Sequence, residues 1–257
     1  MKAYGRGALL FFTAVTVAVL TTIGTLRGQG QAGNGAASPD KQRQREEFVS
    51  QFPVAESGVP EPADPEERAR RRKRSARYDN RHFVNPHDAS GRGTETNLVS
   101  EWDLGLPAIP SSQSEVIAVG NVTDAQAHLS NDKTGIYSEF KVTVEEVLKN
   151  GASTPLAVND LIYVERIGGA VRYPSKGKYV YSVSGQGMPS AGKRYVFFLN
   201  TTGLAQTFDV ITAYELRDNK VFPLDSPQQF DAYRGMDEEK FLRVLRDVIA
   251  RPETEVK

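Results

Sequence analysis

The chain has 257 residues, and its 32 basic and 32 acidic side chains give a formal net charge of zero. That balance argues against wholesale nucleic-acid binding, which shows as a basic excess. The complete absence of cysteine excludes disulfides, zinc ribbons, iron–sulfur clusters and thiol nucleophiles, and with three histidines and three methionines neither a metal nor another cofactor is expected.

Lys2 and Arg6 precede an uncharged run from Gly7 to Leu26, and Arg27 follows it. About 20 apolar residues suffice to cross a bilayer as a helix, whereas the apolar part of a secretory signal is about 7–15 residues. Two readings of residues 1–27 follow, an uncleaved signal-anchor and a signal peptide cut near Gln31-Ala32 or Gly35-Ala36-Ala37. Positive charge before the run keeps the N-terminus cytoplasmic under both. The body of the protein is therefore expected in the cell envelope, outside the cytoplasm.

Residues 28–111 change in composition. Gly28 to Gly35 reads as a flexible tether, and Pro53, Pro60, Pro62 and Pro65 interrupt a charged stretch that has too little apolar surface to offset its ordering entropy. The expectation is a disordered, charged, proline-rich linker, with Lys41–Phe48 briefly helical. Seven of the ten residues from Arg68 to Arg77 are basic. They read as a solvated charge run, with a short helix starting after Pro65 and Glu66 and Glu67 at its positive end; the alternative is a patch for anionic lipid, polysaccharide or nucleic acid. His82, His87 and Asp88 lie together but read as a loop rather than a metal site. Trp102, Leu104, Leu106 and Ile109 read as a strap leading into the next domain.

From Ser114 the pattern becomes short β-branched and aromatic runs broken by turn residues. Strands are predicted at Glu115–Val122, Ile136–Lys149, Asp160–Ile167, Ala170–Tyr173, Lys178–Val183, Arg194–Leu199, Phe208–Leu216 and Lys220–Leu224. Arg194–Leu199 is the most apolar and reads as central. Asn131 to Gly135 is a turn, with Gly135 able to take positive φ. Ser184 to Gly192 is a loop. Glu165 and Arg166 alternate faces, so one of them at most should point inward. Residues 237–251 carry Phe241, Leu242, Val244, Leu245, Val248 and Ile249 on one helical face, with Asp237 as cap and Pro252 as stop. Residues 112–257 are thus expected to form a mainly β domain, a small closed or partly open barrel or a sandwich, with a C-terminal helix.

The succession Val116–Val122, Tyr137 to Glu146-Val147-Leu148-Lys149-Asn150-Gly151, Asp160–Val164 and Ala191-Gly192-Lys193-Arg194 to Leu199 resembles the OB-fold barrel of netrin-like domains, relatives of tissue inhibitors of metalloproteases. The resemblance spans Glu115 to about Leu224 and implies an OB-like barrel. The family's cysteines are absent here, so its protease-zinc mechanism is not implied. The strings Asn131–Gly135 and Ser184–Pro189 also look like those of exported soil-bacterial proteins of no assigned activity.

Asp124, His128 and Ser130 are the one grouping suggestive of acid–base chemistry, but no Gly-x-Ser-x-Gly elbow accompanies them, and His128 reads instead as part of a polar loop. The reading favoured is a noncatalytic exported barrel that binds a cell-envelope protein or glycan through loops Asn121–Gly135 and Ser184–Gly192 meeting at one end. His128, Asn131, Asp132, Gln186 and Met188 are its candidate binding residues. An exported hydrolase sited near Asp124 and His128 and a purely structural envelope tether are the alternatives.

Overall fold

Pattern and turn residues decide where the strands begin and end, and pairing decides what they enclose. The computed structural model describes residues 39–81, 95–98, 105–174 and 178–251. In chain order these form α1 Pro39–Ser50, β1 Val54–Glu56, α2 Pro65–Ser75, β2 Glu95–Leu98, β3 Val116–Leu129, β4 Ile136–Asn150, β5 Leu161–Ile167, β6 Gly169–Arg172, β7 Lys178–Val183, β8 Arg194–Thr201, β9 Thr207–Arg217, β10 Lys220–Pro223 and α3 Glu238–Ala250. The described part is mainly β with a C-terminal helix, as its alternating patterns imply.

The larger sheet runs β10-β9-β5-β4-β3-β8, and an additional β8–β9 pairing returns it on itself, so that β3, β4, β5, β9 and β8 make a ring. All these contacts are antiparallel except β5 with β9, which is parallel. The ring's interior holds Val116, Ala118, Phe140, Val142, Ile162, Val164, Tyr195, Phe197, Leu199 and Phe208, all buried. The other side of β3, β8 and β9 carries Ile117, Val119, Val196, Phe198 and Tyr214 against Phe241, Leu242 and Leu245 of α3. Strand β8 is therefore covered on both faces, as its unbroken apolar run requires. Asp237 caps α3 by accepting the Lys240 amide at 3.0 Å. Leu106 and Ile109 pack into the same cluster, and the Tyr214 hydroxyl donates to the Ala108 carbonyl at 2.5 Å. A second, four-stranded sheet runs β1-β6-β7-β2.

The expectation of a disordered linker is corrected within 39–81. Phe52 is buried in the ring's core, Ala55 packs with Ala127, Val171 and Tyr181, and β1 pairs in parallel with β6. Between Phe52 and Tyr78 the chain forms an arm lying on the ring, and few of its residues show an apolar signal that would announce this. The tether at Gly28–Gly35, the apolar run of residues 1–27, the His82–Asp88 group, Trp102 and Leu104 lie outside the described residues. Among the described residues no helix is long and apolar enough to cross a membrane.

Two further corrections concern β3 and its turn. β3 continues past Val122 to Leu129, so Asp124 and His128 stand on a strand and not in a loop. The turn itself is present, but the positive φ falls on Lys133, at 61°. Gly135 is needed for space: a Cβ there would sit 2.2 Å from the Tyr78 carbonyl oxygen of the arm.

Candidate functional site

Register places a row of polar residues across the outer face of four strands. Gln126 of β3 stands opposite Glu139 of β4, Glu139 opposite Glu165 of β5, and Glu165 opposite Asp209 of β9. Like charges directly opposite one another destabilise a sheet, so three adjacent carboxylates need counter-charge.

The arm supplies it. Asp64 caps α2 by accepting the Glu66 amide at 3.1 Å, Pro65 occupies the first turn, and Glu66 and Glu67 begin a helix that ends on Arg72, Lys73 and Arg74. This order of charges suits the helix dipole. Arg74 then reaches Glu139 at 2.5 Å and lies over the Tyr163 ring at 4.2 Å. Past the helix, Arg77 bridges two carboxylates, bonding Glu165 at 2.6 Å and also Asp209. The Tyr78 hydroxyl donates to Glu165 at 3.0 Å, and its ring stacks on Tyr137 with centroids 4.1 Å apart. The Ser75 and Tyr137 hydroxyls share a bond of 3.0 Å. Seven arginines and lysines that read as a solvated run thus include the clamp on the sheet.

Glu165 is 1% exposed and its Oε1 has no hydrogen-bond partner among the described residues. Burial pushes its carboxyl up to about 7, against the opposing pull of Arg77 and of the Tyr78 hydroxyl. Leaving a buried polar atom unsatisfied costs about 1–3 kcal/mol. Burial likewise raises Asp209, opposed by Arg77.

The neighbouring Arg166 is buried as well, so alternation between the two faces leaves neither side chain exposed. Glu165 is covered by the arm; Arg166 makes a two-pronged bond to Asp225, each prong 2.8 Å, and donates to the Gly187 carbonyl at 2.6 Å. Thr212 and the Gly187 amide complete the coordination of Asp225. Gly187 passes so close that a Cβ would lie 2.1 Å from the Leu224 carbonyl oxygen. The Ser184–Gly192 loop is tied down at this point.

Two cavities flank the clamp, each of about 350 Å³. The first is a cleft between the Val54–Pro62 segment, α2 and residues Gln126–Asn131. A strand facing a cleft with one side would contribute alternate residues; β3 contributes consecutive ones, so its edge faces the opening. Among the described residues that edge carries no strand partner, since pairing with β8 ends at Asn121. Of the charges in the cleft, Glu61 is held by Arg68 and Arg72, and Glu56 by Arg172. The side chains of Arg71 and Lys133 have no partner among the described residues. The second cavity is lined by Arg77, Arg81, Glu165, Ile167, Gln186 and Asp209, among others.

His128 and Asn131 line the cleft and Gln186 lines the second cavity, so the two loops do not meet in one pocket. His128 is buried beside Tyr137. Burial, helped by the charges of Arg71 and Arg74, pushes its imidazole down to about 3, so it is neutral near pH 7, 3.9 Å from Glu139. Asn131 donates to the Arg72 carbonyl at 2.9 Å. Asp132 accepts from the Asn80 amide at 2.7 Å and the Ser130 hydroxyl at 2.6 Å. Gln186 donates to the Ile167 carbonyl at 2.7 Å, and Met188 is buried in the ring's core. Asn131 and Asp132 therefore fasten the arm, and Met188 packs.

Asp124, His128 and Ser130 do not converge. Asp124 and His128 are four residues apart along one strand, a span of about 13 Å, and Asp124 accepts the adjacent Ala125 amide. The Ser130 hydroxyl is engaged with Asp132 and the Gly135 amide. Among the described residues no group of three or more His, Cys, Asp or Glu side chains is arranged to hold a metal ion. The residues that sequence reasoning missed are Arg71, Arg74, Arg77 and Tyr78 of the arm with Glu139 and Asp209 of the sheet. No model of a known protein family matches the chain, and no curated protein matches its sequence.

Proposed function

We propose that this chain is an exported, noncatalytic binding domain, held at the membrane by residues 1–27, that engages an anionic group on a cell-envelope glycan or protein. The observation that carries the reading is the arm-roofed cleft, where, among the described residues, the Arg71 and Lys133 side chains make no ion pair and the adjoining edge of β3 pairs with no strand. Guanidinium and ammonium groups in a largely polar cleft favour a carboxylate, sulfate or phosphate. Backbone amides along the open edge add directional hydrogen bonds. Strand order in the ring supports reading it as an OB-like barrel: first, second, third, fifth and fourth strands in turn, with the third and fifth parallel. Barrels of that kind bind through one face and its bordering loops.

The test is capture of isolated envelope glycan and protein fractions on the immobilised full chain. Arg71→Ala with Lys133→Ala should reduce capture at least tenfold and leave the melting temperature within about 2 °C, since both side chains lack partners and such surface substitutions rarely exceed about 0.5 kcal/mol. Undiminished capture by the double variant overturns the cleft as the binding surface.

A further inference from the structure

The cleft already holds an anion of its own. Glu61 stands at its wall, and Arg72 grips the carboxylate with two prongs, Nε to Oε1 at 3.1 Å and Nη2 to Oε2 at 2.7 Å. Arg68 lies 3.7 Å from Oε2 and donates to the Pro62 and Ala63 carbonyls at 2.9 and 3.1 Å, which fixes the segment that carries Glu61. These groups are open to solvent: the Glu61 side chain is 52% exposed and that of Arg72 62%. A pair so exposed is held weakly. Among the described residues four cations line the cleft, Arg68, Arg71, Arg72 and Lys133, with two carboxylates, Glu56 and Glu61. Glu56 is met by Arg172, which is not part of the lining. Glu61 is therefore the one carboxylate there that offsets the four cations.

That carboxylate sets a threshold for what enters. An external carboxylate can only exchange the Arg72–Glu61 fork for an equivalent one, and it gives up translational freedom that Glu61, tethered to the chain, has already lost. A sulfate ester likewise carries a single charge. A phosphate monoester carries about −1.5 to −2 near pH 7 and three strong acceptor oxygens. It can take the Arg72 fork and still have oxygens for Arg71 and Lys133, which line the same cleft. We infer that the anionic group taken by the cleft is a phosphate monoester, and that Glu61 is an internal competitor which it displaces. The displaced Glu61 turns into the water it already touches, so the exchange disturbs no core packing. The inference rests on the cleft reading above and narrows it from three oxyanions to one.

The full chain is titrated with methyl phosphate, inorganic phosphate, methyl sulfate and acetate at constant ionic strength, followed by amide chemical shifts. The expected result is saturable shifts from methyl phosphate at Glu61, Arg71, Arg72 and Lys133, with a midpoint at least tenfold below those of methyl sulfate and acetate. Inorganic phosphate should bind no tighter than the ester, because the group belongs to a larger molecule. Glu61→Ala should tighten methyl phosphate about two- to fivefold, the weight of one exposed ion pair, and turn acetate into a saturable ligand. Glu61→Gln should act in the same direction to a smaller extent, and it serves if the first variant does not fold. In an Arg72→Ala background Glu61→Ala should bring no further gain. No methyl phosphate response up to about 100 mM, equal midpoints for methyl phosphate and acetate in the unaltered chain, an unchanged midpoint in both Glu61 variants, or inorganic phosphate more than tenfold tighter than the ester overturns the inference. If capture of envelope fractions still depends on Arg71 and Lys133 in that event, the cleft reading stands and only the phosphate inference falls; loss of that dependence ends both.

Discussion

The ring is covered on two outer faces, and the covers are made of different material. On one, α3 lays Phe241, Leu242 and Leu245 on Ile117, Val119 and Phe198. On the other, the arm holds on by Arg74, Arg77 and Tyr78, which reach Glu139, Glu165, Asp209 and Tyr137. Apolar cover is indifferent to salt and nearly so to pH. Ionic cover must overcome the desolvation of each charge it uses, and it holds only while partners match. The same sheet thus has one face that stays closed under all native conditions and one whose closure depends on the solution around it.

The largest test of that contrast is Phe241→Ala. It should cost about 3–5 kcal/mol, as for other buried phenylalanines, read as a drop in the midpoint of urea unfolding that is the same at about 0.1 and 1 M salt. A salt-dependent loss would break the contrast on the apolar side.

Next comes Arg77→Ala. It leaves Glu165 and Asp209 side by side with no bridging cation. Breaking a fully buried pair costs about 3–5 kcal/mol, and because the Arg77 side chain is 25% exposed the expected loss is nearer 2–3 kcal/mol. Arg77→Lys keeps the charge but cannot span two carboxylates in a fixed fork, and should recover less than half. Unlike the first variant, this loss should shrink at 1 M salt, and limited proteolysis should begin to cut between residues 50 and 80 while α3 stays protected. Equal protection of both segments in Arg77→Ala would show that the clamp does not hold the arm.

The smallest effects are in pH. Glu165 has a folded carboxyl raised to about 7 from an ordinary 4.5, so its contribution to stability is fully present below about 4.5 and is lost as pH rises through 7. His128 has a folded imidazole lowered to about 3 from an ordinary 6.5, so its contribution is present above about 6.5 and is lost as pH falls through 3. The two oppose each other between about 4.5 and 6.5. Glu165→Gln should flatten the fall in stability toward neutral pH, and His128→Gln the fall toward acid, by about 1–2 kcal/mol each over its window. A pH profile of unfolding unchanged by either substitution would remove both groups from the account.

The contrast also explains what the sequence disclosed. α3 was legible because six apolar residues repeat with helical period between a capping Asp237 and Pro252, and β8 because Tyr195 to Leu199 is apolar at every position. The lower half of β3 was not: Asp124, Gln126 and His128 alternate with small or apolar residues but resemble a polar loop. The arm was hidden for a deeper reason. Its attachment rests largely on charges, and a run of arginines looks alike whether water or a row of carboxylates surrounds it. Glu139, Glu165 and Asp209 lie on three separate strands, and only pairing register brings them into one line. The sign that was available is small: Tyr78 directly after Arg77, an aromatic in a polar run, and Gly135, whose lack of a side chain makes sense only once the Tyr78 carbonyl is above it.

The clamp has a consequence for how the chain is made. Arg74 precedes Glu139 by 65 residues, and Arg77 precedes Glu165 by 88 and Asp209 by 132. At about 5–20 residues per second of synthesis, Arg77 exists for roughly 7–26 s before its second carboxylate does. During that interval Arg77 lacks one of the two carboxylates that it bridges in the folded chain. β5 and β9 must also come together in parallel across the intervening β6–β8 before Glu165 and Asp209 are side by side, so the Arg77 bridge cannot be complete until β9 has been made and paired. A chain interrupted between Glu165 and Asp209 would leave Arg77 a single carboxylate, which makes the two-carboxylate bridge a mark of completion that such an unfinished copy cannot display.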